Sequence, residues 1–138
     1  MANFSPFPAY ILGAGCFSRG LMAIYSPRKE YAHVGLPLEA AESPMTIQPD
    51  GFNTGIASPL MYFKGLREIS YGLTLAALQQ QGNEAALTTF AAVLCVVRFG
   101  DGLVVWLKGG DNLRYRAWGH WITGAGLLWW VARRLKDS

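Results

Sequence analysis

Arg19, Lys64, Arg67, Glu68, Arg98, Asp101 and His120 all stand inside stretches that are otherwise apolar, and with these residues the chain could do chemistry. Lys64, Arg67, Glu68 and Tyr71 follow i, i+3, i+4, i+7 spacing, so a helix puts them on one face. Arg98 and Asp101 are three apart and share another face. A carboxylate beside a guanidinium suits proton chemistry: one group moves a proton while the other holds the charge that develops. On this reading Glu68 and Asp101 act as acid and base, and His120 relays protons. Arg67 and Arg98 hold a carbonyl, an enolate or a substrate carboxylate, while Arg19, Lys64 and Tyr71 extend the site toward the substrate.

A charge isolated near mid-bilayer costs at least about 2.5–3.5 kcal/mol on insertion scales, so such groups face the bundle interior and pair. One ion pair with Glu68 and one with Asp101 is the economical arrangement. Arg19, Lys64, Arg67 and Arg98 against those two acids leave two positive charges over. The surplus points to an anionic or oxygen-rich ligand, or to snorkelling by Arg19 and Lys64. The competing interpretation makes the pairs purely structural, locking helices in register.

Other chemistries find little support. Two His and two Cys, far apart, make no metal-ligand spacing, and neither a metal nor an organic cofactor is expected. Gly13-Ala14-Gly15 resembles part of a dinucleotide loop, but no strand precedes it and the third glycine is misplaced. Ser/His/Asp catalysis lacks a nucleophile elbow. Cys16 and Cys95 lie in apolar stretches and read as small buried apolar residues. The net charge of +3 comes from scattered residues without a basic run, so no nucleic-acid partner is expected.

The elements that must position these residues are four apolar segments: about Phe7 to Ser26, Ser58 to Gln80, Glu84 to Leu107 and Ala117 to Leu135. Each is long enough to span a hydrocarbon core of about 30 Å. Hydrophobic residues make up 51% of the chain and charged ones 15%, which is little charge for a water-facing surface. The mean hydropathy of +0.19 averages these segments with the polar stretch 27–57. Leu127-Leu128-Trp129-Trp130-Val131 and the run Ala85 to Val97 leave no polar stripe of the kind a soluble helix shows. Glycines recur inside the segments, which membrane helices tolerate because small residues let backbones approach. Pro27 and Pro59 mark a stop and a start. The short turns at Gln79-Gln80-Gln81-Gly82-Asn83 and Gly109-Gly110-Asp111-Asn112 imply antiparallel neighbours. The 27–57 stretch, with Pro27, Pro37, Pro44 and Pro49, reads as an ordered loop.

The expected fold is therefore all-α: a four-helix transmembrane bundle, residues 1–138 as a single domain, with one long loop between helices one and two. Four spans put that loop and the 108–116 connection on one membrane face. At 1.5 Å per residue most of the ionisable groups then lie roughly 9–15 Å below it, with His120 shallower. The N-terminal residues lack the positive region of a signal peptide, and Arg19 argues for a retained helix. Lys and Arg are too evenly shared between the faces to set orientation.

Val34-Gly35-Leu36-Pro37, Tyr62-Phe63-Lys64-Gly65-Leu66-Arg67-Glu68-Ile69, Gly72-Leu73, Gly100-Asp101 and Gly119-His120 occur in this order. The pattern resembles a family of small tetraspan membrane proteins, common in fungi and of unknown function. Arg67, Glu68, Asp101 and His120 fall on the polar positions of that pattern, with Glu68 where Asp is the commoner residue. The resemblance implies a fold more than a reaction, and by analogy an association with natural-product pathways. The resulting expectation is a cofactor-independent isomerase or cyclase. It would act on a lipophilic, anionic or carbonyl-bearing molecule that enters from the bilayer. The alternative is a non-catalytic structural, lipid-binding or accessory membrane protein. A transporter subunit is less supported, since four helices without a repeat rarely make an alternating-access machine. Integral membrane localisation is expected, with the endoplasmic reticulum as first candidate, and homo-oligomerisation is left open.

Overall fold

Long apolar stretches without an internal breaker become helices, and each of the four segments does so in the computed structural model, which describes residues 5–40 and 55–136. Helix α1 spans Phe7–Tyr25, α2 Pro27–Val34, α3 Leu60–Gln80, α4 Glu84–Lys108, α5 Gly110–Leu113 and α6 Ala117–Lys136. A 3-10 turn at Arg114–Arg116 leads into α6. Strands β1, Glu39–Ala40, and β2, Gly55–Ile56, form a two-residue antiparallel pair. The rest of the described chain is helix and short connections. Asn83 caps α4, its side chain accepting from the Ala86 amide at 3.1 Å, which explains the sharp turn after α3.

The first part of the expected long loop is a helix. Pro27 sits at the first position of α2, where its missing N–H costs nothing and its fixed φ suits the turn. Gly35 ends the helix in the left-handed region at φ +96°. Its amide and that of Leu36 both donate to the Tyr31 carbonyl, at 3.0 and 3.1 Å. A Cβ at Gly35 would also come within 2.8 Å of Val105 and Arg116 side-chain atoms, so only glycine fits. These start and stop signals were present in the sequence, but the polar run Arg28-Lys29-Glu30 hid them. The middle of the loop, with Pro44, Pro49 and Gly51, lies outside the described residues.

Helices α1 and α3 pack antiparallel along two glycine contacts. Gly13 faces Gly72 and Gly20 faces Gly65, seven residues apart on each helix and so on one face. The backbones are close enough that a Cβ on Gly20 would lie 2.6 Å from the Gly65 carbonyl oxygen and from Ile69 Cγ1. Helices α4 and α6 form the second intimate pair, with Gly102 against Trp121 and Gly124 against Arg98 and Phe99. Contact between α3 and α4 is less extensive, although a short turn joins them.

Along the bundle the layers alternate. Leu75, Leu87, Ala91, Leu94, Leu127 and Val131 form the main apolar cluster, toward the α3–α4 turn. Two smaller clusters, Ala23, Tyr31 and Met61, and Val34, Val105 and Ala117, lie toward the α2 end. The outward faces are apolar too: Phe7 and Ile11, Phe63 and Leu66, Val93 and Val96, Ile122 and Trp129 are all exposed. Among the described helices, α1 and α4 are long and apolar enough to cross a membrane. The charged residues of α3 and of the end of α6 dilute the apolar character of those two helices.

Candidate functional site

Between the apolar clusters lies a layer of charge to which four helices contribute. From α2, Glu30 is wholly buried, at 0% exposure. Its Oε1 accepts from Arg19 Nη2 of α1 and from Lys64 Nζ of α3, both at 2.9 Å. Lys64 Nζ is also 3.8 Å from Oε1 of Glu68, one turn further along α3. The second oxygen of Glu68 lies 3.5 Å from Arg98 Nη2 of α4, and this nitrogen also donates to Cys16 Sγ at 3.7 Å. The result is a chain of alternating sign, Arg19, Glu30, Lys64, Glu68, Arg98. Every buried carboxylate in it faces at least two cations or donors, which offsets the cost of taking them out of water.

A second ion pair stands apart from that layer. Arg67 Nη2 lies 3.5 Å from Asp101 Oδ1, with the side chains 44% and 21% exposed. These two residues line a cavity of about 460 Å³ in the gap between α3 and α4, within the range of small-molecule sites. Leu60, Met61, Lys64 and Arg67 line it from α3, and Asp101, Val104, Val105 and Lys108 from α4. Each set follows helical spacing, so the cavity is walled by one face of each helix. Tyr31, Leu36, Pro37 and Glu39 close the α2 end. The Tyr31 hydroxyl donates to Glu39 Oε1 at 3.4 Å and accepts from the Ser58 amide at 3.1 Å. Asp101 Oδ2 is buried and has no hydrogen-bond partner among the described residues. Glu30 Oε2 shares that state in the charged layer; Asp101 differs in lining the cavity, where a small turn of its carboxylate presents an acceptor and Arg67 has further N–H donors for an oxyanion.

The expected site residues divide accordingly. Lys64, Arg67 and Asp101 line the cavity, whereas Glu68, Arg98 and Arg19 belong to the closed layer and are not among the lining residues. Tyr71 packs edge-on against Phe90, ring centroids 6.0 Å apart, beside the main apolar cluster. It is not among the cavity-lining residues, because its place on the shared α3 face lies two turns from Lys64. His120 does not join the carboxylates: its Nε2 is 3.1 Å from the Val34 carbonyl oxygen, tying α6 to the end of α2. The expected surplus of two positive charges falls to one, because Glu30 sits between Arg19 and Lys64. Cys16, read as apolar, touches Arg98 through its sulfur.

Glu30, Lys108 and Tyr31 are the site residues that sequence reasoning missed. Pro27 and Gly35, bracketing a short helix with Glu30 inside it, were the available signal. Arg134, near the end of α6, is 2% exposed. It pairs with Glu84, donates to Thr88 Oγ1 at 2.8 Å and lies over the Trp130 ring, beside a second cavity of about 540 Å³ at the opposite end of α4. Among the described residues no three His, Cys, Asp or Glu side chains converge as metal ligands would.

A family model described as "Domain of unknown function (DUF4267)" matches residues 13–133, in keeping with the resemblance to a family of unknown function. No curated protein and no solved structure matches the chain.

Proposed function

We propose, for a chain that belongs to the DUF4267 family of unknown function, a bilayer-embedded enzyme that isomerises or cyclises a lipophilic, carbonyl-bearing molecule in the α3/α4 cavity. Asp101 carries this reading: one of its oxygens faces Arg67 and the other is buried without a partner, in a cavity walled largely by apolar side chains. In an isomerisation Asp101 takes a proton from the carbon beside the carbonyl, and the C–H electron pair shifts into the carbonyl system. Arg67 holds the enolate oxygen that forms. Return of the same proton to a more distant carbon moves the double bond, and no co-reactant is consumed. In a cyclisation the enolate carbon closes instead on an electrophilic carbon of the same molecule, and the proton goes to the oxygen released there.

All four long helices cross the bilayer on this reading. Their 19, 21, 25 and 20 residues are about 28–38 Å long at 1.5 Å per residue, enough for a core of about 30 Å. The apolar outer faces meet lipid, and the charges of α3 are paired inside.

The test is complementation of a deletion strain followed by metabolite profiling. Loss of the protein should cause one lipophilic intermediate to accumulate. Asp101→Asn, present in the membrane at normal levels, should leave that accumulation uncorrected. Full correction by Asp101→Asn would refute an acid/base role. A second, architectural reading has its own observation: Arg19, Glu30, Glu68 and Arg98 are joined in one run of ion pairs and are not among the cavity-lining residues, while Lys64 belongs to both. For those four residues we assign helix fixation rather than chemistry.

A further inference from the structure

We infer that the α3/α4 cavity takes an amphiphile with a single negative charge, a long-chain carboxylate, held by its head at Lys108 with its reactive carbonyl two helical turns deeper at Arg67 and Asp101. This rests on the cavity reading above and adds the class of ligand. Three observations lead to it. First, Asp101, Val104, Val105 and Lys108 share one face of α4 and all line the cavity. Seven residues at 1.5 Å put Lys108 about 10 Å from Asp101 along the axis, with the two valines between them. The wall thus runs polar, apolar, polar.

Second, the charges of the layer and the cavity together do not cancel. Arg19, Lys64, Arg67, Arg98 and Lys108 stand against Glu30, Glu39, Glu68 and Asp101, which leaves one positive charge over. Four of these cations have a carboxylate partner within 4 Å. Lys108 is exposed and has no ion pair among the described residues. Third, Lys108 ends α4 at the α2 side of the bundle, the level at which a carboxylate head lies when its chain is in the bilayer. Glu39, held by the Tyr31 hydroxyl, borders the same opening and disfavours a second negative charge, so a dianionic head fits less well than a monoanion.

The experiment uses the whole protein in nanodiscs of zwitterionic lipid, at a pH where a free fatty acid is ionised. The probe is cis-parinaric acid and, beside it, its methyl ester. Tryptophan-to-probe energy transfer reads the binding, and the part of it that saturates and is displaced by excess unlabelled fatty acid separates bound molecules from those dissolved in lipid. The acid should bind at least tenfold more tightly than the ester. Lys108→Gln should bring the acid down to the level of the ester, and Lys29→Gln, which removes the same charge from an exposed position outside the cavity, should leave the preference intact. Equal binding of acid and ester, or a preference that survives Lys108→Gln, would overturn the assignment of the head while leaving the acid/base role of Asp101 to the complementation test. Binding of neither probe would overturn this inference and the cavity reading together. If anionic phospholipid in the nanodisc displaces the acid, the occupant is a membrane lipid and the free-carboxylate assignment fails.

Discussion

Glu30→Gln should destabilise the protein more than Asp101→Asn, although both remove one carboxylate charge from the same bundle. Glu30 is fully buried and its Oε1 takes two charged donors at 2.9 Å. Hydrogen bonds to charged groups contribute about 1.5–3 kcal/mol each. Glutamine keeps one carbonyl oxygen but not the charge, so Lys64 is left with Glu68 at 3.8 Å as its sole carboxylate partner. Breaking a buried pair in this way costs about 3–5 kcal/mol. Asp101 instead faces a 44% exposed Arg67 at 3.5 Å, a longer and less buried contact, and the freed guanidinium can reach toward the surface. The loss should therefore be smaller than for Glu30→Gln. SDS titration of the purified protein in mixed micelles, followed by tryptophan fluorescence, measures it, and membrane accumulation gives an independent reading. The double variant Glu30→Met, Lys64→Met should recover much of the loss, because no lysine charge is stranded and Arg19 can reach toward the surface. If Glu30→Gln lies within 1 kcal/mol of the parent, or Asp101→Asn is the more destabilising, the division into a structural layer and a functional pair is wrong.

Gly20→Ala should cost about 1–3 kcal/mol by overpacking, since its Cβ would meet the Gly65 carbonyl and Ile69 at 2.6 Å; Gly126→Ala, with nothing within 4 Å, should be neutral or slightly stabilising in the same titration. His120→Ala should lose about 1 kcal/mol for its bond to the Val34 carbonyl and retain full pathway output, which a proton-relay role would not allow. A glycosylation-site scan should report positions 45 and 111 on one side of the membrane, and position 82 and the C-terminus on the other; opposite reports from 45 and 111 would remove the four-span reading. Carbonate washing should leave the protein in the membrane fraction, and release in soluble, monodisperse form would contradict a bilayer-facing Leu127 to Val131.

The amino-acid sequence by itself determined the four long helices, to within a few residues at each end, and the placing of Lys64, Arg67 and Glu68 on one helix face and of Arg98 and Asp101 on another. Both follow from short-range physics. An apolar run with proline, glycine and asparagine at its borders becomes a helix whatever surrounds it, and i, i+3, i+4 spacing puts charges on one face without reference to a partner. Tertiary structure decided what those faces meet. The glycine contacts Gly13–Gly72 and Gly20–Gly65 set the rotation of α1 against α3, and that rotation turns Arg19 and Lys64 together onto Glu30, a residue from a short polar helix that no apolar periodicity reveals. The same packing sends Tyr71 to Phe90 and His120 to the end of α2, away from the Arg67–Asp101 pair. Whether a buried charge closes a layer or lines a cavity depends on which helices separate and where. Here α3 and α4 part beside Arg67 and Asp101 and stay joined at Glu68 and Arg98, one turn away, because Glu68 and Arg98 point into the layer shared with α1 and α2. A difference of one residue on a helix is a rotation of about 100°, and only contacts distant in sequence fix its direction.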